Sequence, residues 1–402
     1  MTLNAESHFL SQLKALASDI ISEVDLERYL QVSQKRKKPL RIKFGIDPTF
    51  KDVHVGHCVP IRALRLFQEA GHLPVLILGD ATARLGDPTG RNDQRPALSA
   101  EEVEHNATSY FTQIGKVLDL SEGACEIHRN SEWFSGMDFF EVLRLLSEST
   151  VARLLERDDF QKRMEKKLPV HLHEMVYPLM QGWDSVQVHA DVELGGNDQL
   201  FNLHMGRQLQ ERHGQQPQVC LTTPLLLGTD GRKMSKTYGN HIPLTASAKD
   251  VFGKVMSLED DAMEPWFRLA TSVSSEEVLA LLEGHPREAK GRLAQEVCAW
   301  IHDEPSAQAA ADNFVQQFRE KQLPTDIATF TLEAKDWPLP TLLKELGLCA
   351  STSEARRMIE GGGVRVSQNV CTDVRFLLTL EIGKEVVLVQ AGKRKFAYVQ
   401  GT

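Results

Sequence analysis

The stretch Leu40-Arg41-Ile42-Lys43-Phe44-Gly45-Ile46-Asp47-Pro48-Thr49, followed shortly by His54-Val55-Gly56-His57, decides the fold. Leu40 to Ile46 is a short β-rich apolar run. Pro48 has no N–H to give to a ladder, so the strand ends at Asp47, and helical periodicity begins at Gly56. The strand-then-helix step recurs: Val75–Leu78 precedes a helix from Ser99, and Val192–Leu194 precedes a helix through Leu209. Val219–Leu226 closes the series. Short strands alternating with helices over residues 40–245 predict an α/β fold, a parallel sheet covered by helices. Ligands of such sheets sit at the carboxyl ends of the strands, where Asp47 and the loop after it fall.

The 402 residues are 42% hydrophobic and 25% charged, an ordinary balance for two or three globular domains. A net charge of −9, from 46 Lys and Arg against 55 Asp and Glu, argues against generic adhesion to nucleic acid or anionic membranes. It leaves room for a local basic site. Apolar runs such as Pro74–Leu78 and Pro224–Leu227 are far too short to span a bilayer, so no membrane association is expected. Near the start, Glu6, Asp19, Glu23, Asp25 and Glu27 interrupt Leu10, Leu13, Leu16, Ile20 and Val24, which reads as an amphipathic helix rather than a signal peptide. The six cysteines form no CxxC pair, so neither a zinc site nor a disulfide framework is indicated, and a cytoplasmic setting is expected.

Past residue 245 the strand signals stop. Ser274–Glu283, Ala289–His302 and Ser306–Lys321 carry helical periodicity, so 246–321 is expected to be a helical domain. Residues 322–338, with Pro324, Thr325, Thr329 and Thr331 and no clear period, are the expected linker. In 339–402, Pro340–Leu346 and Ser353–Glu360 read as short helices, the second stopped by Gly361-Gly362-Gly363. Val364–Val366 and Glu385–Val389 alternate as strands. This tail holds nine Lys and Arg against six acids, a net of +3, which leaves −12 on the rest of the chain. A basic module on an acidic body calls for a functional reading.

Two motifs carry chemistry. His54 and His57, three apart at a helix start, lie on one face beside unpaired backbone N–H groups, a good place for phosphate. Gly56 between them lets an adenine ring approach the backbone. Alone, the pair also fits a zinc site or two surface histidines capping a turn. The second motif is Gly231-Arg232-Lys233-Met234-Ser235-Lys236-Thr237-Tyr238-Gly239-Asn240. Its lysines, in a glycine-bounded loop, can close over a polyphosphate and neutralise charge as pyrophosphate forms. An exposed basic turn is the plain alternative. Both motifs in this order across a parallel sheet are far less ambiguous than either alone.

At these residues the chain resembles the class I aminoacyl-tRNA synthetases, with their HIGH and KMSKS signatures. Within the class it is similar to the bacterial tyrosyl branch that keeps a KMSK loop. The resemblance covers essentially the whole chain. It implies a Rossmann-like catalytic domain over 1–245, an all-α anticodon-binding domain over 246–321, the linker 322–338, and a small α+β S4-like RNA-binding domain over 339–402.

Tyr177, Gln181 and Asp184 fall at i, i+4 and i+7, a helical face mixing polar groups with a phenol. By resemblance, Tyr177 and Gln181 hold the α-amino group of tyrosine and Asp184 contacts the phenolic hydroxyl as an ionised acceptor. Asp47, Asp87 and Gln199 complete the tyrosine set, with Asp87 helping to hold the amino group and Gln199 near the carboxylate and α-phosphate. Asp198 is implied to bind the ribose. His54, Gly56, His57, Met234, Ser235 and Lys236 make up the rest of the ATP site. His54, His57, Lys233, Lys236, Thr237, Arg91 and Arg95 are the candidate catalytic residues, the two arginines on a loop that reaches pyrophosphate. In the tail, Arg356, Arg357, Arg365, Lys393, Arg394 and Lys395 are the candidate tRNA contacts. One departure stands out. The better-known branch has a tyrosine that contacts the substrate hydroxyl where this chain has Lys43, so Lys43 is left without an assigned role.

The resemblance further implies L-tyrosine, ATP with Mg²⁺, and tRNA(Tyr) as substrates, no tightly bound cofactor, and a homodimer. The rival readings are a tryptophanyl-type enzyme of the same fold, a small adenylyltransferase with an HxGH site, and a non-catalytic RNA-binding regulatory paralogue.

Overall fold

The structure is a computed structural model that describes residues 3–48, 52–85, 99–235, 238–319, 327–367, 369–383, 386–392 and 395–402. Six strands build its first sheet: β1 (Asp19–Ile21), β2 (Arg41–Ile46), β3 (Leu73–Leu78), β4 (Glu126–Arg129), β5 (Val192–Gly196) and β6 (Val219–Thr223). Their order is β1-β6-β5-β2-β3-β4. All neighbours run parallel except β1, which is antiparallel to β6. Pro74 to Leu78 are all buried, as expected for an interior parallel strand covered on both faces. The chain moves outward from β2 through β3 to β4, then returns to the other side of β2 for β5 and β6. The order therefore reverses between β2 and β5, and a crevice opens at their carboxyl ends.

Three parts of the first sheet and its surroundings differ from the expectation. The N-terminal segment is not one helix. Helix Leu3–Leu16 ends, β1 pairs Ile20 with Leu221, and a second helix, Glu23–Arg36, starts at Ser22, whose hydroxyl accepts from the Asp25 amide at 3.2 Å. Ser22 is a helix cap, and it breaks the apolar stripe that Ile20 and Val24 suggested: Val24 is 76% exposed. Strand β4, with the charged residues Glu126 and Arg129, carried no apolar signal because it is a short edge strand. Finally, β6 stops at Thr223, one residue before Pro224.

Helices Ala248–Met256, Met263–Ala270, Ser275–Glu283, Pro286–Ile301 and Glu304–Arg319 follow the sheet. Ser274 caps the third of them through the Glu277 amide. These helices share one hydrophobic core with the sheet, in which Ile42, Leu64 and Phe67 join Val251, Trp266, Phe267, Leu293 and Val297. Compactness divides the chain only once, into 1–315 and 316–402.

The second unit has its own core of Leu339, Leu342, Leu343, Ile359, Val364, Val389 and Val399. Its strands are β7 (Thr329–Leu332), β8 (Asp336–Pro338), β9 (Val364–Val366), β10 (Asn369–Cys371), β11 (Leu377–Thr379), β12 (Val387–Ala391) and β13 (Lys395–Gly401). They form a five-stranded sheet, β10-β9-β12-β13-β7, and a two-stranded one, β11-β8. Residues 329–332 and 336–338, expected to be linker, are therefore strands: β7 lies parallel to the last strand, pairing Phe330 with Val399. Pairing with a strand so distant in sequence leaves no local periodic mark. Helices Leu339–Glu345 and Thr352–Glu360 agree with the sequence reading, and the second is followed by Gly362 at φ +69°.

Candidate active site

The crevice at the reversal between β2 and β5 is a cavity of about 740 Å³. Its floor is the end of β2, where a side chain on Gly45 would project into open space. Asp47 follows. Its carboxylate accepts from Thr82 Oγ1 at 2.7 Å and from the Tyr177 hydroxyl at 2.8 Å. Gly79 must be glycine here, since a Cβ would overlap Asp47 and Thr82.

Helix Leu172–Gln187 crosses above the sheet and lines the cavity with Tyr177, Gln181 and Asp184, as its spacing predicted. Gln181 Oε1 accepts from Asn202 Nδ2 at 2.9 Å, and its Nε2 donates to Glu193 Oε1 at 3.2 Å. Asp184 is 4% exposed. Trp133 Nε1 donates to it at 2.9 Å and Asn130 Nδ2 at 3.5 Å. Burial pushes its carboxyl up to about 7, against the opposing pull of the nearby Lys43 ammonium and the two donors. Desolvation therefore works against the ionised form that the resemblance implies for this acceptor. Desolvation outweighs the donors.

Lys43 does not reach the cavity. It is fully buried, and its three N–H groups go to the Gln181 carbonyl at 2.7 Å, Ser185 Oγ at 2.7 Å and Glu193 Oε1 at 2.9 Å. An ammonium has three donors, so none is left for a substrate hydroxyl.

The two distant motifs meet at the same cavity. His54 caps the 3₁₀ turn Val55–His57 that leads into helix Cys58–Glu69, and its ring stacks 3.6 Å from that of His57, the last residue of the turn. Val55 N donates to Ile242 O at 2.9 Å, so the segment after the lysine loop lies against this turn. A Cβ on Gly56 would sit 3.2 Å from His54 Nδ1 and 3.3 Å from Met234 Sδ, so the glycine keeps the approach tight. Lys233 and Ser235 line the cavity with Met234. Glycines at positive φ, Gly231 and Gly239, bound the loop. Inside it, the Asn240 side chain accepts from Ser235 N at 2.8 Å and donates to Asp230 Oδ1 at 2.7 Å and Lys233 O at 3.1 Å. Asp198 and Gln199, on the turn after β5, also face the cavity. Asp87, Arg91, Arg95, Lys236 and Thr237 lie outside the described residues, as do Lys393 and Arg394 in the tail.

In the second unit, Arg356 and Arg357 are exposed on helix Thr352–Glu360, and Arg365 stands on β9 opposite Gln390. Lys395 opens β13, and its ammonium donates to Leu348 O at 3.0 Å, on the connector leading into that helix.

The family model for class I tRNA synthetases (W and Y) matches residues 34–319, and that for the S4 domain matches 337–381. A tyrosine–tRNA ligase from Moorella thermoacetica is 44% identical over 402 residues, covering 98% of this chain and 96% of its own. One from Symbiobacterium thermophilum is 47% identical over 390 residues, covering 95% and 94%. The chain belongs to the tyrosine–tRNA ligase family. Its activity is accordingly that of a tyrosine–tRNA ligase: activation of tyrosine with ATP, then transfer to tRNA. Among solved structures, a C-terminally truncated mitochondrial tyrosyl-tRNA synthetase from Aspergillus nidulans aligns with a TM-score of 0.64 at 26% identity, covering 77% of this chain and 94% of its own. The Archaeoglobus fulgidus enzyme, solved with L-tyrosine, shares the fold at a TM-score of 0.59 and 22% identity, covering 75% of this chain and 99% of its own.

Sequence reasoning missed five side chains that hold the cavity's lining in place: Asn130, Trp133, Glu193, Asn202 and Asn240. Reading β4 as a strand would have exposed the first two, which follow its carboxyl end. Nothing local marks Glu193 or Asn202.

Proposed function

We propose that the cavity binds tyrosine along helix Leu172–Gln187 and MgATP along the two signature motifs, and joins them without an enzyme nucleophile. The tyrosine carboxylate is already an anion. It attacks the α-phosphorus, the new O–P bond forms, the α–β bridge breaks, and the electron pair leaves with pyrophosphate. Catalysis is positioning plus stabilisation of charge that moves onto pyrophosphate. His54, His57, Lys233, Lys236, Thr237, Arg91 and Arg95 are assigned to that charge. Gly56, Met234, Ser235 and Asp198 are assigned to adenosine, and Tyr177, Gln181, Asp184, Asp47, Asp87 and Gln199 to tyrosine. Magnesium arrives as part of the substrate, on phosphate oxygens. In the second step a hydroxyl of the terminal adenosine of tRNA(Tyr) attacks the tyrosyl carbonyl and AMP departs.

The observation that carries this reading is the shared cavity, lined both by the polar face Tyr177–Gln181–Asp184 and by His54, His57 and Lys233. ATP–pyrophosphate exchange with each of the twenty amino acids tests it. Exchange with tyrosine alone is expected, and exchange with tryptophan would replace the substrate assignment.

The helices beyond residue 246 are assigned to the anticodon and the second unit to tRNA through Arg356, Arg357, Arg365, Lys393, Arg394 and Lys395. A homodimer is proposed, supported by helix Phe139–Ser147, where Phe139 and Phe140 are each 70% exposed beside Leu143 and Leu146. Sedimentation of a Phe139→Ser/Phe140→Ser variant reads this out, with a shift to monomer expected. No described helix is long and apolar enough to cross a membrane, and a cytoplasmic location is proposed.

A further inference from the structure

Lys43 and Glu193 are cross-strand neighbours on β2 and β5, and both are fully buried. Every polar group of the pair is used. Beyond the three bonds of Lys43, the carboxylate accepts from Gln181 Nε2 on the same oxygen, and from Ser185 Oγ at 3.1 Å and Gln218 Nε2 on the other. Four donors saturate a carboxylate. Buried ion pairs add little net stability over apolar packing, so stability alone does not account for one beneath the substrate cavity.

Its consequence lies in Gln181. An amide side chain can turn over with almost no change of shape, and its partners decide which end is oxygen. Here Glu193 accepts from the nitrogen end, and Asn202 Nδ2 donates to the oxygen end. Turning the amide over would set donor against donor and acceptor against acceptor. Asn202 is itself fixed: Arg157, 3% exposed, donates to its Oδ1 at 3.0 Å, and its Nδ2 also donates to Gln199 Oε1 at 2.9 Å. Two glutamine oxygens thus converge beside one nitrogen at the cavity wall.

We infer that the Lys43–Glu193 pair is a positioning device for amino-acid binding, holding the Gln181 amide with its oxygen presented to the substrate ammonium. Lys43 never touches substrate; it makes a carboxylate at 193 tolerable, and that carboxylate orients the amide. This rests on the assignment of Gln181 to the amino group.

The test uses two competitive inhibitors of tyrosine-dependent pyrophosphate exchange. Tyramine has the amine and the phenol; 3-(4-hydroxyphenyl)propionate has the phenol and the carboxylate but no amine. Lys43→Met/Glu193→Leu leaves no unpaired buried charge and removes the acceptor for Gln181. It is expected to weaken tyramine about tenfold, the scale of one charge-assisted hydrogen bond, and to leave the acid within about twofold. Lys43→Met/Glu193→Gln restores an acceptor and should restore tyramine. Asn202→Leu, acting at the other end of the amide, should repeat the amine-selective loss. Equal weakening of both inhibitors, no weakening, or failure of Glu193→Gln to rescue tyramine overturns the inference. Gln181→Ala is the separate control: if it leaves tyramine unchanged, the assignment of Gln181 itself is what fails.

Discussion

Asp184 shows how burial sets the behaviour of a single residue. Its carboxyl is raised from the ordinary value to about 7, chiefly by desolvation. The folded protein therefore keeps a proton that the unfolded chain releases between about pH 4 and pH 7. Stability falls as pH rises through that window and is level above it. At about 1.4 kcal/mol for each pH unit between the folded and unfolded values, the cost at pH 8 has an upper bound of about 4 kcal/mol. Asp184→Asn, which keeps the shape without the charge, should melt several degrees higher than the parent at pH 8, with the difference vanishing towards pH 4. Function runs the other way. Trp133 and Asn130 already donate to this carboxyl group, and it accepts a phenol hydroxyl as a further donor most strongly when ionised. The kcat/KM for tyrosine should rise with pH through about 7, and so should its ratio over phenylalanine. A flat ratio between pH 6 and 8.5 would remove Asp184 from phenol recognition.

The loop Gly228–Asn240 shows what a single element adds. Two glycines at positive φ let it turn back on itself, but Asn240 gives it shape. Gly228 N donates to Arg232 O at 2.7 Å and Thr229 N to Asn240 O at 3.0 Å, closing the base, while the buried Asn240 side chain ties Ser235, Lys233 and Asp230 together. A loop that must carry lysines to a developing charge gains rate from arriving in the right geometry. Asn240→Ala should lower the rate of adenylate formation by about 10²-fold and leave tyrosine affinity within about twofold. Stopped-flow adenylate formation with equilibrium tyrosine binding separates the two. A matching loss of affinity would instead make Asn240 part of the tyrosine pocket's framework.

At the scale of the molecule, the second unit is built to be removable. Its core of Leu342, Ile359, Val389 and Val399 is its own, and β7 belongs to its sheet rather than to a linker. A cut after Trp337 would strip β7 from β13 and leave it as an unpaired strand on the remaining enzyme, a source of aggregation unrelated to function. Truncation within 320–326 avoids this. The shortened enzyme should keep ATP–pyrophosphate exchange nearly intact, because every side chain assigned to adenylate chemistry precedes residue 241. It should lose most tRNA charging, together with the salt-dependent part of tRNA affinity that basic contacts to phosphate provide. Normal charging at moderate salt would show that the basic tail is not the tRNA clamp.

The sequence by itself determined what is local or periodic. The alternation that made β2, β3, β5 and β6, the three-apart histidines, the glycine-bounded lysine loop and the face of Tyr177, Gln181 and Asp184 were all legible, because each is written within one turn, one strand or one loop. Tertiary structure decided what depends on partners far away in the chain. It placed β7 against β13, recruited β1 to the sheet edge, brought Met234 against Gly56, and set Trp133 and Asn130 on Asp184. It also gave Lys43 its role. A lysine inside an apolar strand has no meaning until its ammonium meets Glu193, Ser185 and the Gln181 carbonyl, and only the folded sheet with helix Leu172–Gln187 packed on it supplies all three, since a buried charge is tolerated only where every donor is met.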